Sequence, residues 1–316
     1  MNAGVRRIAT LLAAIACAAL ARPADAYFEE TRVDARALAM GGAAGATIRG
    51  PGAWYWNPAA LAGVTTREAL LDVSSPYGVP DLTESALSVA GRWRETGLAL
   101  GWHRLGVSGA FAEDLFALAG GRRFTLPRRG HALELGLSLK LQRAGFSSFA
   151  DPATGAAVDY GAASAFDSDL GARWTTPWNV DFAWVSRNLI GSELDVVDGG
   201  GAFRLPRLQE LTAAYRWNPQ STVNLGWTQS ERTGEGTING GVEIWFYDVF
   251  ALRSGFTHLQ GVVDATTLNG ASEFDFTGGI GVRHRGWEVD GAVSTHPTLG
   301  ASYRAGLHWT GRRAQP

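Results

Sequence analysis

The stretch HALELGLSLKLQR, residues 131–143, alternates large apolar residues with polar or small ones without a break. Leucine occupies every second position from Leu133 to Leu141, and residues such as Glu134 and Lys140 fall between. Successive side chains of a β-strand point to opposite faces, so this stretch predicts a long strand with one apolar and one polar face. The same alternation recurs in TGLALGWHR, VNLGWTQ, FDFTGGIGVRH, WEVDGAVS and SYRAGLHW. Long strands therefore dominate the chain.

About fourteen such segments follow one another from residue 68 onward. We place them at 68–76, 85–94, 96–104, 113–124, 131–143, 166–175, 178–187, 208–217, 221–230, 236–246, 248–257, 274–284, 286–294 and 301–309. The connections alternate between short turns, such as RETG, NPQ and RG, and longer segments, among them 144–165, 188–207, 258–273, GVSGAFAE and THPTLG. Outer-membrane barrels sort their loops in this way, with short periplasmic turns and long external loops, whereas a soluble sandwich has no reason to do so.

The two faces of the strands differ in a second informative way. One face carries Leu, Val, Ile, Phe and Trp, and the other mixes small residues with charges, namely Glu134, Lys140, Arg173, Asp181, Arg216, Glu243, Asp275, Arg283, Glu288, Asp290 and Arg304. Either face could point outward on pattern alone. The loop lengths, the small polar residues and the export signal described below favour an apolar exterior in lipid and a polar lumen, in which charges of opposite sign pair.

Tryptophans lie near many of the predicted strand ends, where the aromatic girdles of membrane barrels meet the lipid head groups. They are Trp93, Trp102, Trp174, Trp178, Trp217, Trp227, Trp245, Trp287 and Trp309. The sequence therefore predicts an all-β fold, a transmembrane antiparallel up-and-down β-barrel of about 14 strands.

The N-terminus has the pattern of a secretory signal peptide, residues 1–26. Arg6 and Arg7 precede the apolar run IATLLAAIACAAL, and an Ala-x-Ala site ends at Ala26. A lipoprotein reading of Cys17 is the alternative, but this cysteine lies late in the apolar run. Cleavage after Ala26 removes the chain's one cysteine and changes the formal charge from -2 to about -4. We expect export to the outer membrane of a Gram-negative-type bacterium, and no nucleic-acid partner.

A short helix is predicted within GPGAWYWNPAALAG, residues 50–63. Asn57 is a good N-cap, Pro58 suits the first helical position, and Gly63 is a natural stop. Such a helix is too short to be stable alone in water, because nucleation costs more than a few hydrogen bonds return. It therefore needs a surrounding structure.

The chain resembles the outer-membrane superfamily of the long-chain fatty-acid transporter FadL, and more closely its PorV/PorQ branch associated with type IX secretion. The resemblance rests on ARALAMGGA, WYWNPAALAGV, LSLKLQR, GVEIWFYDVFALRSGF and FTGGIGVRHRGWEVDGAVSTHPTLG. It implies a fourteen-stranded barrel over residues 67–310, an N-terminal plug over 27–66 lying inside it, and a C-terminal tail over 311–316. The plug and gating candidates that match the family motif are Trp54, Tyr55, Trp56, Asn57, Pro58 and Ala59. Barrels of this kind usually end on an aromatic residue, whereas here TGRRAQP follows Trp309.

Sequence motifs for chemistry are absent. The sequence contains no G-x-S-x-G, P-loop, H-E-x-x-H or C-x-x-C, and its six histidines have no metal-ligand spacing. We therefore expect a non-enzymatic protein without metal or cofactor. Two functions are weighed equally: passage of a hydrophobic small molecule, and shuttling of an exported protein cargo with type IX-like secretion components as partners. A structural barrel or an outer-membrane hydrolase is the alternative.

Overall fold

The computed structural model describes residues 32–127, 130–150, 155, 157–158, 160–196, 202–231, 236–263, 270–296 and 299–311. Within these ranges fourteen strands form one closed antiparallel barrel in which each strand pairs with its neighbours in sequence. The strands are β1 Glu68–Ser75, β2 Leu82–Trp93, β3 Thr96–Val107, β4 Phe111–Thr125, β5 Ala132–Phe146, β6 Ala162–Thr175, β7 Val180–Arg187, β8 Leu208–Asn218, β9 Ser221–Ser230, β10 Gly236–Phe246, β11 Phe250–Val263, β12 Gly270–His284, β13 Trp287–His296 and β14 Gly300–Thr310. Pairing of Glu68 with Thr310 closes the barrel between the first and last strands. The predicted fold class and all fourteen predicted strands are confirmed.

The strand β5 shows why this sequence forms a barrel with an apolar exterior. Leu135 and Leu137 are 42% and 45% exposed, whereas Glu134 and Ser138 are 1% and 0% exposed. The two faces of β5 are therefore those that the sequence predicts. The leucines cover the outside of the barrel and the polar groups line its inside. An apolar exterior that continues around the barrel is far larger than the apolar patches of soluble monomers.

The two ends of the barrel carry connections of different length. One end has the turns 94–95, 126–131, 176–179, 219–220, 247–249 and 285–286. The start of β1 and the end of β14 lie at this same end. The other end has the long connections 147–161 and 188–207, each containing a two-residue hairpin at Phe149–Ala150 and Ala157–Val158, or at Glu193–Leu194 and Phe203–Arg204. The predictions of longer loops at GVSGAFAE, THPTLG and 258–273 are wrong, because the flanking strands continue and leave only residues 108–110, 297–299 and 264–269 as connections.

Most of the tryptophans predicted to form a girdle lie on the outside near the short-turn end. These are Trp93, Trp174, Trp178, Trp217, Trp287 and Trp309. Trp245 differs: its ring stacks against the guanidinium groups of Arg253 and Arg283, 5.4 and 4.1 Å away, on the inner wall. The girdle interpretation of Trp245 is therefore wrong, because its position in β10 has the same parity as the inward Glu243.

The N-terminal segment, which we define as residues 32–66, contains three short helices. They are α1 Ala35–Ala39, α2 Ala53–Trp56 and a 3₁₀ helix at Pro58–Gly63, and a further 3₁₀ turn lies at Pro76–Gly78 after β1. The predicted helix after Asn57 is present in its tighter 3₁₀ form, and α1 and α2 were not predicted. Among the described residues, no helix is long and apolar enough to cross a membrane. The predicted signal peptide lies outside the described residues.

Candidate functional site

Four glycines on the inner wall form the seat of the 3₁₀ helix. Gly97 pairs with Gly121, Gly121 with Gly136, and Gly136 with Gly171, so that the four lie in one row across β3 to β6. A Cβ atom added to any of the four would approach the N-terminal segment more closely than 3.0 Å, a separation that real Cβ atoms essentially never show. We call these residues the glycine row. The missing side chains leave the groove into which the segment packs.

The two outer aromatics of the WYW run are buried between the segment and the inner wall. Trp54 is 0% exposed and donates from Nε1 to Ser88 Oγ at 2.7 Å. Trp56 is 6% exposed and donates from Nε1 to the carbonyl of Val33 at 2.7 Å. Each indole N–H thus has a partner, as buried tryptophans require.

Arg187 on β7 ties the same run to the wall. Its guanidinium lies 4.6 Å from the Tyr55 ring centroid and donates to the carbonyls of Tyr55 and Trp56. Its charge is balanced by Glu210, whose Oε1 accepts from Arg187 Nε at 2.6 Å. The arginine therefore satisfies carbonyls of a short helix that has no regular partner for them.

The Asn-Pro-Ala step is the buried centre of the segment. Asn57 is 0% exposed, and its Oδ1 accepts from the Ala59 N–H at 3.0 Å, which is the predicted N-cap. Its Nδ2 donates to the carbonyl of Gly45 at 2.9 Å, so one side chain joins two parts of the segment. Pro58 lies against the glycine row, and Ala59 is 0% exposed.

Acidic groups of the wall hold the start of the segment. Arg36 donates from Nε and Nη2 to the two carboxylate oxygens of Glu243, each at 2.7 Å. Burial works against the charge of Arg36, but Glu243 outweighs it and holds the pKa of this guanidinium above its usual range.

Asp34, a residue of the segment itself, caps α1 by accepting from the Arg36 N–H at 2.9 Å, with a positive φ of 75°. Burial raises the pKa of Asp34, although the Arg36 cation opposes this shift.

Ten of the charged residues predicted for the polar face have partners of opposite charge, and the eleventh, Asp275, lines the cavity described below. The pairs are Glu134 with Arg173, Lys140 with Asp169, Asp181 with Arg216, Arg253 with Glu243, Glu288 and Asp290, Arg283 with Glu288, and Arg304 with Asp72 and Glu84. The centre of the largest group is Arg253, which is 2% exposed. Arg283 lies at the short-turn mouth, where its side chain is 48% exposed. These ion pairs match charges of opposite sign along the inner wall.

Several contacts of the site were missed from the sequence. Asp72, Glu84, Asp169 and Glu210 have the inward parity of their strands, and this parity could have identified them as partners. Arg187 lies at the end of β7, where alternation gives no strong signal. Among the described residues, no group of three or more histidine, cysteine, aspartate or glutamate side chains could hold a metal ion.

A cavity of about 500 Å³ lies in the lumen between the N-terminal segment and the loop 188–207. Leu38, Tyr55 and Trp56 contribute from the segment, and Leu205 and Pro206 contribute from the loop. The segment also contributes Arg32, Gly41 and Gly42, and the 3₁₀ turn contributes Pro76 and Tyr77. Most of the remaining lining residues lie on the strands, and most of these are polar. The structure thus brings together Tyr55, Trp56, Lys140, Asp275 and Arg304 around this space. The cavity lining does not include Trp54, Asn57, Pro58, Ala59, Glu134, Arg173, Asp181, Arg216, Glu243, Arg283, Glu288 or Asp290.

Comparison with known proteins gives structural likeness alone. No family model and no curated protein matches the sequence. Among solved structures, a FadL homologue from Pseudomonas aeruginosa has a TM-score of 0.60 at 12% identity, over 89% of this chain and 98% of that one. The Ralstonia pickettii toluene transporter TbuX has a TM-score of 0.59 at 13% identity, over 91% and 100%. The monoaromatic hydrocarbon channel CymD has a TM-score of 0.61 at 12% identity, over 90% and 98%. The chain therefore has the fold of the FadL-like barrels, and the PorV/PorQ branch stays a prediction.

Proposed function

We propose that this chain is an outer-membrane barrel that binds small molecules in its lumen and lets them pass, without covalent chemistry. The observation that carries this proposal is the cavity, which is bounded on one side by a segment fitted to a groove in the wall. Residues 32–66 act as the plug in this proposal, and the glycine row is its seat. Trp54, Tyr55, Trp56, Asn57, Pro58 and Ala59 are the residues whose release opens the path.

The exterior supports a membrane location. Outward leucines, valines and phenylalanines cover the strands, and five tryptophans that are at least 40% exposed lie near the short-turn end. This is the arrangement of an apolar band with an aromatic girdle. The short turns then face the periplasm and the long connections face outward.

The long connection 188–207 favours small molecules over a protein cargo. Its residues Leu194, Phe203 and Leu205 are 1–3% exposed and pack with Ala144 and Ala165 of the inner wall. The described part of this loop therefore folds back over the lumen and does not project as a docking surface. The names of the similar structures, a toluene transporter and a monoaromatic hydrocarbon channel, also point to small molecules. Cargo shuttling by a type IX system rests on the sequence resemblance alone.

Solute flux in liposomes tests the proposal. Protein lacking residues 27–66 is compared with the protein carrying the full segment, both checked for a folded barrel by heat-modifiable migration on a gel. We expect the deletion to raise liposome swelling in small neutral solutes. Equal flux with and without the segment would overturn the plug, and a folded barrel without flux in either form would identify a structural role. Copurification of a secreted protein would favour shuttling, and ester hydrolysis lost on changing one polar residue would overturn the non-enzymatic proposal.

A further inference from the structure

We infer that the lumen cavity is a site for a small, neutral, polyhydroxylated molecule, such as a sugar or polyol. The inference deepens the proposed function and rests on it for the route, but not for the binding. It sets this chain apart from the hydrocarbon channels that it resembles in fold, and it follows from the residues that line the cavity.

A belt of neutral polar side chains covers one side of the cavity. Thr228 pairs across strands with Thr237, Asn239 pairs with Thr257, and Ser294 pairs with Ser302. All six line the cavity, and they lie on consecutive strands from β9 to β14 except for β12, where Asp275 pairs with Thr257. Thr257 Oγ1 donates to the carbonyl of Gly41 and Ser302 Oγ accepts from the Tyr77 N–H, so the belt is in part bonded to the protein. Its remaining donor and acceptor capacity suits a ligand that carries several hydroxyls.

The charges on the opposite side are already matched, which argues against an ionic ligand. Lys140 Nζ lies 2.6 Å from Asp169 Oδ1, and Arg187 Nε lies 2.6 Å from Glu210 Oε1. Arg304 pairs with Glu84 and with Asp72. A charged ligand would have to compete with these short-range pairs, whereas a neutral one leaves them intact.

Gln142 points to hydrogen-bond donors on the ligand. It is 2% exposed, lines the cavity, and its Oε1 is a buried acceptor without a partner in the described structure. Its cross-strand neighbours are Leu115 and Ala165, which offer no donor from their side chains. This oxygen has no accessible surface in the structure, so the Gln142 side chain must turn toward the cavity to accept from a hydroxyl of a bound molecule; a hydrocarbon offers it no such donor.

The volume of the cavity and its aromatic lining fit the same ligand class. A cavity of about 500 Å³ falls in the usual range of ligand pockets and accommodates a mono- or disaccharide. Tyr55 and Trp56 contribute to the lining beside the polar belt, and aromatic rings pack well against the C–H faces of a sugar. Hydrocarbons would gain from these rings but would bury the belt without hydrogen bonds.

Saturation-transfer NMR on the protein in lipid nanodiscs tests the site with D-glucose, potassium gluconate, glucosamine hydrochloride and toluene as probes. We expect transfer to glucose above that of empty nanodiscs, and weaker transfer to the two ions. Gln142→Leu should weaken glucose binding about three- to tenfold, the usual worth of one neutral hydrogen bond. Gln220→Leu is the matched control, because Gln220 lies in a short turn outside the cavity lining. Heat-modifiable migration establishes that both variants are folded.

The outcomes separate the ligand class from the route. Toluene binding above empty nanodiscs without glucose binding would overturn the polyol inference and leave the proposed transport intact. Equal glucose binding by Gln142→Leu and Gln220→Leu would overturn the role of the cavity. Glucose binding that needs Gln142, together with no solute flux in any form of the protein, would support the site and overturn the proposed transport.

Discussion

Replacing Gly121 with alanine adds one methyl group at the place where the N-terminal segment packs on the wall. The new Cβ would lie 2.9 Å from the Ala62 nitrogen and 3.0 Å from the Ala59 carbonyl oxygen, and closer still to the carbonyl oxygen of Pro58. Ordinary van der Waals contact of a Cβ begins at 3.4 Å. The opposing atoms are all backbone, so no side chain can rotate away. The segment must move.

The free-energy cost that Gly121→Ala adds to the seated segment is taken from the usual penalty of overpacking, about 1–3 kcal/mol. Because each 1.4 kcal/mol is a factor of ten, the equilibrium between the seated and the released segment shifts by about 5- to 140-fold. The barrel should keep its stability, because the alanine leaves the strand ladder of Gly121 unchanged. The effect of Gly121→Ala is therefore expected on the segment and not on the wall.

Cysteine labelling measures this shift. Ala60 is 2% exposed within the 3₁₀ helix, and Cys17→Ser removes the chain's one cysteine, so Ala60→Cys reports release of the segment through its rate of reaction with a maleimide. We expect Gly121→Ala to raise this rate by the factor given above. Gly91→Ala is the matched control, because a Cβ at Gly91 meets nothing within 4 Å. Equal labelling rates in the two glycine variants would refute the packing argument.

Three further changes test other contacts of the segment and the lumen. Asn57→Ala should destabilise the segment by about 1–2 kcal/mol through loss of its cap, seen as faster labelling, whereas Asn57→Asp should restore the acceptor. Arg253→Met should lower barrel stability by about 3–5 kcal/mol, because three buried carboxylates lose their shared cation, and the denaturant midpoint should fall much further than in the exposed control Arg285→Met. The raised pKa of Asp34 means that the folded state binds its proton more tightly than the unfolded state, so stability falls as pH rises from the unfolded value through the folded one. Asp34→Asn keeps a cap acceptor and should therefore raise the thermal midpoint at pH 7, with the difference vanishing near about pH 3; a difference independent of pH would contradict this assignment.

The barrel could be predicted because each strand is encoded by residues that are neighbours in the sequence. Alternation along a stretch such as 131–143 gives the strand and its two faces, and the order of the chain gives the pairing. The strand ends were harder to place: β11 extends to Val263 and β6 begins at Ala162, beyond the predicted bounds of 257 and 166. A strand that rises past the lipid no longer has to alternate strictly, so the pattern fades before the hydrogen bonding ends.

The seat of the segment could not be predicted in the same way. The cap at Asn57 is encoded within a few residues and was found. The glycine row joins Gly97, Gly121, Gly136 and Gly171, and only the register of four strands brings them together. Glycines are frequent in this chain, 41 in all, so their meaning depends on pairing that the sequence alone does not show.

Spin labelling measures most directly whether the leucines of β5 face lipid, as a membrane barrel requires. A nitroxide is placed in turn at Leu135, Leu137 and Leu139 of the reconstituted protein, with Gln220 in a short turn as the aqueous reference. Relaxation by oxygen, which concentrates in the bilayer, is compared with relaxation by a water-soluble nickel chelate. We expect high oxygen access and low nickel access at Leu137 and Leu139, and the reverse at Gln220. Nickel access at Leu137 equal to that at Gln220 would contradict a membrane barrel.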